Sequence, residues 1–197
     1  MNLHEVSPDT HNDSYSKTVF GFWLYLLTDF MLFATIFAAY AVLGGNHFGG
    51  PTQKQLFNLD YTTIQTFIFL ISTFAIGIAG VYTHRKKKGG SITFFLISFV
   101  LGIVFLWMEL HECSQFIAAG SGWEKNAFAS VFFSLVGIFV LHLIFALLWV
   151  IVLLIPVFRF GITARSVLRL TCLKMFWQFL NIVWLFIYTI VYLMGIV

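Results

Sequence analysis

Five apolar stretches, each long enough to cross a bilayer, constrain this chain more than any other feature of its sequence. A hydrocarbon core needs about 20 predominantly apolar residues per helix. The stretches run from about Val19 to Leu43, Ile64 to Tyr82, Ile92 to Leu110 (with a possible continuation to Phe116), Phe128 to Phe158, and Met175 to Val197. The fourth exceeds what a bilayer requires, which predicts tilt or protrusion. Hydrophobic residues make up 60% of the chain and charged residues 10%, against about 25% charged in an ordinary soluble domain. A water-soluble fold of this size could not hide so much apolar surface. The expected fold is all-α, an integral membrane bundle of five transmembrane helices over residues 18–197, behind a polar tail of residues 1–17. Met1 to Tyr15 is polar and no small-residue cleavage site follows, so the first span is expected to stay in the mature protein.

The breaks are chemically sensible. Gly44, Gly45, Gly49, Gly50 and Pro51 are expected to end the first helix. Arg85-Lys86-Lys87-Lys88-Gly89-Gly90 ends the second, Gly120-Ser121-Gly122 precedes the fourth, and Pro156 with Gly161 marks the fourth helix's end. Lysine and arginine placement sets orientation. One side holds Lys17, Arg85, Lys86, Lys87, Lys88, Arg159, Arg165, Arg169 and Lys174, and the other only Lys54 and Lys125. The N-terminus is therefore expected on the cytoplasmic side and the C-terminus on the outer side. The net charge of +3 reflects this topology rather than a nucleic-acid role.

Ionisable groups at bilayer depth cost roughly 2.5–3.5 kcal/mol on insertion scales, so each one stands out. Asp29 lies roughly 13 Å from the cytoplasmic end of the first span at 1.5 Å per residue. His142 falls in the inner half of the fourth, and Gln178 with Asn181 in the first turns of the fifth, three residues apart on one face. These four residues are expected to form a polar layer in the inner half. It serves either as helix–helix hydrogen bonding or as a proton-accessible, water-bearing site.

Glu109 and Glu112 sit three residues apart near the outer end of the third span, and Gln65 near the outer end of the second. They read as solvated acids at an interfacial helix end, or as buried carboxyls touching a neighbouring helix, a lipid or a subunit. His111 and Cys113 invite a metal reading, but Glu109, Glu112 and Cys113 share a face while His111 points elsewhere. Cys113 and Cys172 are the only cysteines, with no CxxC pattern, so neither a disulfide nor a metal clip is expected. Trp23, Trp107, Trp123, Trp177 and Tyr82 fit aromatic belts. Ala34 with Ala38, Ala75 with Ala79, and Gly77 with Gly80 allow close helix approach. Haem, copper or iron sites need several imidazoles or thiolates, and only His142 is deep in a span. With no CxxCH, Walker, GxSxG or HExxH motif, no catalytic, cofactor-binding or metal-binding residue is expected in this chain.

Several segments carry a resemblance. They are Phe20-Gly21-Phe22-Trp23-Leu24-Tyr25-Leu26 with Asp29, Phe37-Ala38-Ala39-Tyr40, Gly49-Gly50-Pro51-Thr52, and Met108-Glu109-Leu110-His111-Glu112. Further along are Phe132-Phe133-Ser134-Leu135-Val136-Gly137 with Leu141-His142, and Phe176-Trp177-Gln178-Phe179-Leu180 through Val191-Tyr192-Leu193-Met194-Gly195. Together they resemble subunit III of the haem–copper oxidases in its short five-helix form, over nearly the whole chain after Lys17. The last Tyr-Leu-Met-Gly and the Gly-Gly-Pro-Thr loop favour the quinol branch, that of the cytochrome o ubiquinol oxidases. The resemblance implies a supporting subunit in a bacterial inner membrane, without redox cofactor. It would pack on a subunit I that carries haem and copper, in a complex with subunit II and a small subunit IV. That complex oxidises ubiquinol, reduces oxygen and pumps protons. The same resemblance implies lipids bound between the helices and assistance to proton uptake.

Four positions depart from the family pattern. Phe139 stands where a second histidine is common, Gln65 where a glutamate is common, and Trp177-Gln178-Phe179-Leu180-Asn181 where Trp-His-Phe-Leu-Asp is common. Gln and Asn keep the hydrogen bonding but carry no proton, which weakens a relay through them and leaves Asp29, Glu109, Glu112 and His142. Other readings are a subunit III of a cytochrome c oxidase or of a nitric-oxide-reductase-associated complex, a small transporter using Asp29 and His142, or an assembly factor. Against a transporter, the helices show no inverted repeat and no broken midplane pair.

Overall fold

A computed structural model describes residues 10–43, 59–118 and 127–194. Every described element is helical: α1 Thr10–Leu43, α2 Leu59–His84, α3 Lys88–Ala118, α4 Ala127–Phe160 and α5 Ala164–Ile187, which runs on into a π-helical turn, Tyr188–Leu193. Five helices are long and apolar enough to cross a membrane. The glycine and proline breaks at residues 44–51 and 120–122, like Trp123, lie outside the described residues.

The helix ends follow backbone chemistry that apolar counting does not register. After α2, Lys86 adopts φ 55°. Its N–H donates to the Thr83 carbonyl and that of Lys87 to the Tyr82 carbonyl, both at 3.0 Å. This is a Schellman cap with lysine where glycine is usual, and α3 restarts at Lys88. At the end of α4, Pro156 lies inside the last turns and Gly161 marks the stop, close to the expected end. The chain runs on to Phe160 and stops at Gly161, whose φ of +77° favours a residue without a β-carbon. The Gly161 N–H bonds the Val157 carbonyl at 3.0 Å, and Lys88 Nζ reaches the Phe158 carbonyl at 2.8 Å. A cation thus caps the negative end of the α4 dipole. The start of α5 lies well before Met175: Thr163 caps it, its Oγ1 accepting from Ser166 N at 3.2 Å. The basic stretch between is helical but not apolar, so hydropathy missed it.

Lipid tails are as apolar as leucine, so helix association in a membrane rests on packing and interhelical hydrogen bonds. The α2–α3 hairpin shows both. Thr83 and Ser91 hydroxyls meet at 2.7 Å next to the turn, and Ser72 and Ser98 meet at 2.9 Å midway. Each of Ser72 and Ser98 also donates towards the other's carbonyl, at 3.0 and 2.9 Å. At the far end the Tyr61 hydroxyl donates to the Met108 carbonyl at 3.2 Å. Against this hairpin α4 and α5 close an aromatic core. Phe69 stacks on Phe105 at 4.5 Å, and Trp184 meets Phe105 edge-on at 4.7 Å and Phe139 at 5.3 Å. The Trp184 indole N–H donates to Thr66 Oγ1 at 3.0 Å. Phe139, at the family's histidine position, is fully buried at the centre of this stack. α1 is the outlying helix, packed chiefly on α4 and α5.

Candidate functional site

Of the four residues expected in one inner-half layer, the structure brings two together. Asp29 on α1 and His142 on α4 face each other across the α1–α4 contact, with 3.9 Å between Asp29 Oδ2 and His142 Nε2. His142 Nδ1 lies 2.8 Å from the Ile138 carbonyl. A carbonyl only accepts, so Nδ1 carries the hydrogen and Nε2 is the nitrogen turned to the acid. The 3.9 Å gap exceeds a direct hydrogen bond, and Asp29 Oδ2 accepts no hydrogen bond. The Tyr25 hydroxyl faces the same carboxyl from one turn away on α1. Phe33 and Phe176 wall the imidazole at 5.3 and 6.4 Å. Asp29 is 9% exposed, so the pair is sheltered.

Gln178 does not join this pair. It is exposed on α5, while Asn181 is buried with Oδ1 unpartnered. The two sit three residues apart, but the helix edge runs between them, and the layer shrinks to Asp29 and His142. Trp177 also departs from expectation: it is fully buried rather than part of an aromatic belt. Trp23 and Trp107 stay exposed, as belt residues do.

The second polar cluster lies at the opposite end of the bundle from the basic turns, between α2, α3 and α5. Glu109 is fully buried and Glu112 nearly so, which excludes a solvated helix end. Gln65, fully buried, donates from Nε2 to Glu109 Oε2. The hydroxyls of Tyr192 and Thr62 face the Glu112 carboxyl, and Thr63 meets Tyr188 at 2.9 Å. His111 turns away, exposed and stacked on Trp107 at 5.7 Å. Cys113 and Cys172 are free thiols. Among the described residues no three His, Cys, Asp or Glu side chains gather as a metal ion would require.

Residue reasoning missed the Ser72–Ser98, Thr83–Ser91 and Thr66–Trp184 contacts. A signal existed: each hairpin pair lies nearly equidistant from the Lys86 turn, as antiparallel helices demand. Two recesses also went unseen. One, of about 530 Å³, opens between the α4 and α5 ends, with Leu153, Pro156 and Phe160 on its apolar wall and Thr163, Arg165 and Arg169 on its polar rim. The other, of about 240 Å³, is a cleft between α1 and α5 lined by Phe30, Phe33, Phe37, Val183, Phe186 and Ile190.

Comparison with known proteins shows the family. The family model described as cytochrome c oxidase subunit III matches residues 7–196. The chain belongs to that family. Among curated relatives, it is 45% identical over 194 residues to cytochrome bo(3) ubiquinol oxidase subunit 3 of Pseudomonas aeruginosa, covering 98% of this chain and 93% of the relative. It is 40% identical to the protein of the same description in Pseudomonas putida, covering 94% of this chain and 89% of that one. A probable quinol oxidase subunit 3 of Staphylococcus epidermidis is 35% identical, with 98% and 95% covered. Membership in the subunit III family accords with an all-helical chain and helices fit to span a membrane. It also separates this chain from stand-alone transporters, which the Asp29–His142 pair alone would not do.

Proposed function

We propose that this chain is the third subunit of a quinol-oxidising, oxygen-reducing haem–copper complex in a bacterial inner membrane. The observation that carries the reading is the full-length similarity to bo(3) ubiquinol oxidase subunit 3 of Pseudomonas aeruginosa. Haem and copper would reside in subunit I, and subunits I, II and a small subunit IV would be its partners. The complex, not this chain, would oxidise ubiquinol and pump protons. The basic ends of α2, α4 and α5 would face the cytoplasm, as the positive-inside rule requires.

The chain's own residues would support that complex in three ways. The exposed apolar faces of α1, α3 and α4 offer surface for a neighbouring subunit or for lipid tails. The cleft between α1 and α5 accepts acyl chains, and the Arg165–Arg169 rim above an apolar wall suits a phospholipid headgroup. Asp29 and His142, sheltered in the inner half, would assist proton uptake by the partner.

Affinity purification of this chain in mild detergent tests the proposal. The expected outcome is a stoichiometric complex with a haem-type visible spectrum and ubiquinol oxidase activity. Recovery of the chain without a haem-bearing partner would refute it. Oxidation of cytochrome c rather than ubiquinol by the recovered complex would move it to the branch named in the family description. Ion flux by the chain alone in liposomes would instead support a transporter.

A further inference from the structure

We propose that Gln65, Glu109 and Glu112 form a proton-binding site, in which one proton on Glu109 Oε1 bonds to Gln65 Oε1 and Glu112 stands by as a second acceptor. Gln65 Nε2 already donates to Glu109 Oε2. A carboxamide and a carboxyl joined by one such bond can close a second bond between their two remaining polar atoms if one of those atoms carries a hydrogen. Here both are oxygens, Gln65 Oε1 and Glu109 Oε1, each buried and each without a partner. Without a hydrogen both buried oxygens stay unsatisfied, which is costly, whereas a hydrogen between them closes a ring of two bonds, N–H to O and O–H to O. Exchanging oxygen and nitrogen in the Gln65 carboxamide leaves the conclusion intact, since the proton then sits on the other Glu109 oxygen.

Charge leads to the same place. Glu109 and Gln65 are fully buried and Glu112 is 6% exposed. The described lysines and arginines sit at the other end of the bundle, and His111 points away. A lone carboxylate in such surroundings is costly, and two carboxylates in one site more so. The hydroxyls of Tyr192 and Thr62 face Glu112. They suit an acceptor, so a single proton serves the pair: Glu109 is the acid and Glu112 the hydrogen-bonded carboxylate. Glu112 Oε2 is also unpartnered, which gives the proton a second place to move. Among the described residues packed at this end, Tyr61, Tyr188, Tyr192 and Cys113 are further titratable side chains, and Asp60 in the first turn of α2 is exposed. The inference goes beyond the oxidase reading and does not depend on the identity of the partner.

Infrared difference spectroscopy on the intact purified complex tests it, comparing wild type with single variants in H2O and D2O. One carboxylic acid carbonyl band, shifted by deuterium, is expected in wild type and missing from Glu109→Gln. Glu112→Gln should keep that band, and Gln65→Leu should move it by freeing the acid from its ring. An acid region unchanged by Glu109→Gln would overturn the site. Should Glu109→Gln fail to assemble, Gln65→Leu decides: an unshifted band overturns the proposal and a shifted one upholds it.

Discussion

The Trp177 indole lies against the bare α-carbon of Gly102, so close that a β-carbon there would stand 2.7 Å from Trp177 Cη2 and 3.1 Å from Leu147 Cδ2. Glycine at 102 is therefore the seat of a fully buried tryptophan where α3, α4 and α5 meet. Gly102→Ala is expected to destabilise the bundle by about 1–3 kcal/mol, the usual cost of overpacking, and Gly102→Val by more. Thermal unfolding of the purified complex checks this. Gly137→Ala is the control, since nothing lies within 4 Å of a β-carbon added there.

The Trp184–Thr66 hydrogen bond ties α5 to α2 inside the aromatic core. Membrane hydrogen bonds between helices average about 0.6 kcal/mol by double-mutant cycle. Trp184→Phe should cost more than this, because it also removes packing against Phe105 and Phe139. Thr66→Val should cost a little more than the interhelical bond, since it also removes the bond from Thr66 Oγ1 to the Thr62 carbonyl at 2.8 Å. The cycle of the two should return a coupling of roughly 0.5–1.5 kcal/mol. A coupling of zero would mean that the bond contributes nothing.

The fold was legible in the sequence because a bilayer leaves few choices. Five apolar runs located the five described helices long and apolar enough to span a membrane, and the charge bias suggested an orientation. What apolar counting could not register was a helix that begins in a basic, polar stretch, as α5 does from Ala164. The candidate site was half legible. Asp29 and His142 stood out by rarity, and they do meet. Gln178 and Asn181 shared their spacing but not their environment, since a three-residue step can cross the boundary between a buried face and an exposed one. Burial of Glu109 was not readable from α3 alone, for it depends on Gln65 and Tyr192 arriving from two other helices.

Exposure separates the members of the former polar layer in a measurable way. Gln178→Leu changes a side chain outside the bundle and is expected to shift stability by no more than about 0.5 kcal/mol. Asn181→Leu enlarges a buried position and should be felt more strongly, by about 1–3 kcal/mol. Parallel unfolding of the two variants decides the matter. A larger loss for Gln178→Leu would mean that a partner subunit covers α5 on that side.

Asp29 and His142 should behave as one unit. With Nδ1 committed to the Ile138 carbonyl, Nε2 is the only imidazole nitrogen that can answer the acid at 3.9 Å. Asp29→Asn keeps the shape but exchanges a carboxyl oxygen for an amide nitrogen, and His142→Phe keeps an aromatic side chain but removes both ring nitrogens, the Ile138 bond included. If the pair is coupled, each single variant lowers stability and the double variant loses less than their sum, by about 0.5–1.5 kcal/mol. Proton uptake should follow the same pattern, with the double variant no slower than the slower single one. The measurement is thermal unfolding together with proton-uptake rate in the reconstituted complex, for all four members of the cycle. Additive losses would show that the two side chains act independently, whatever their distance.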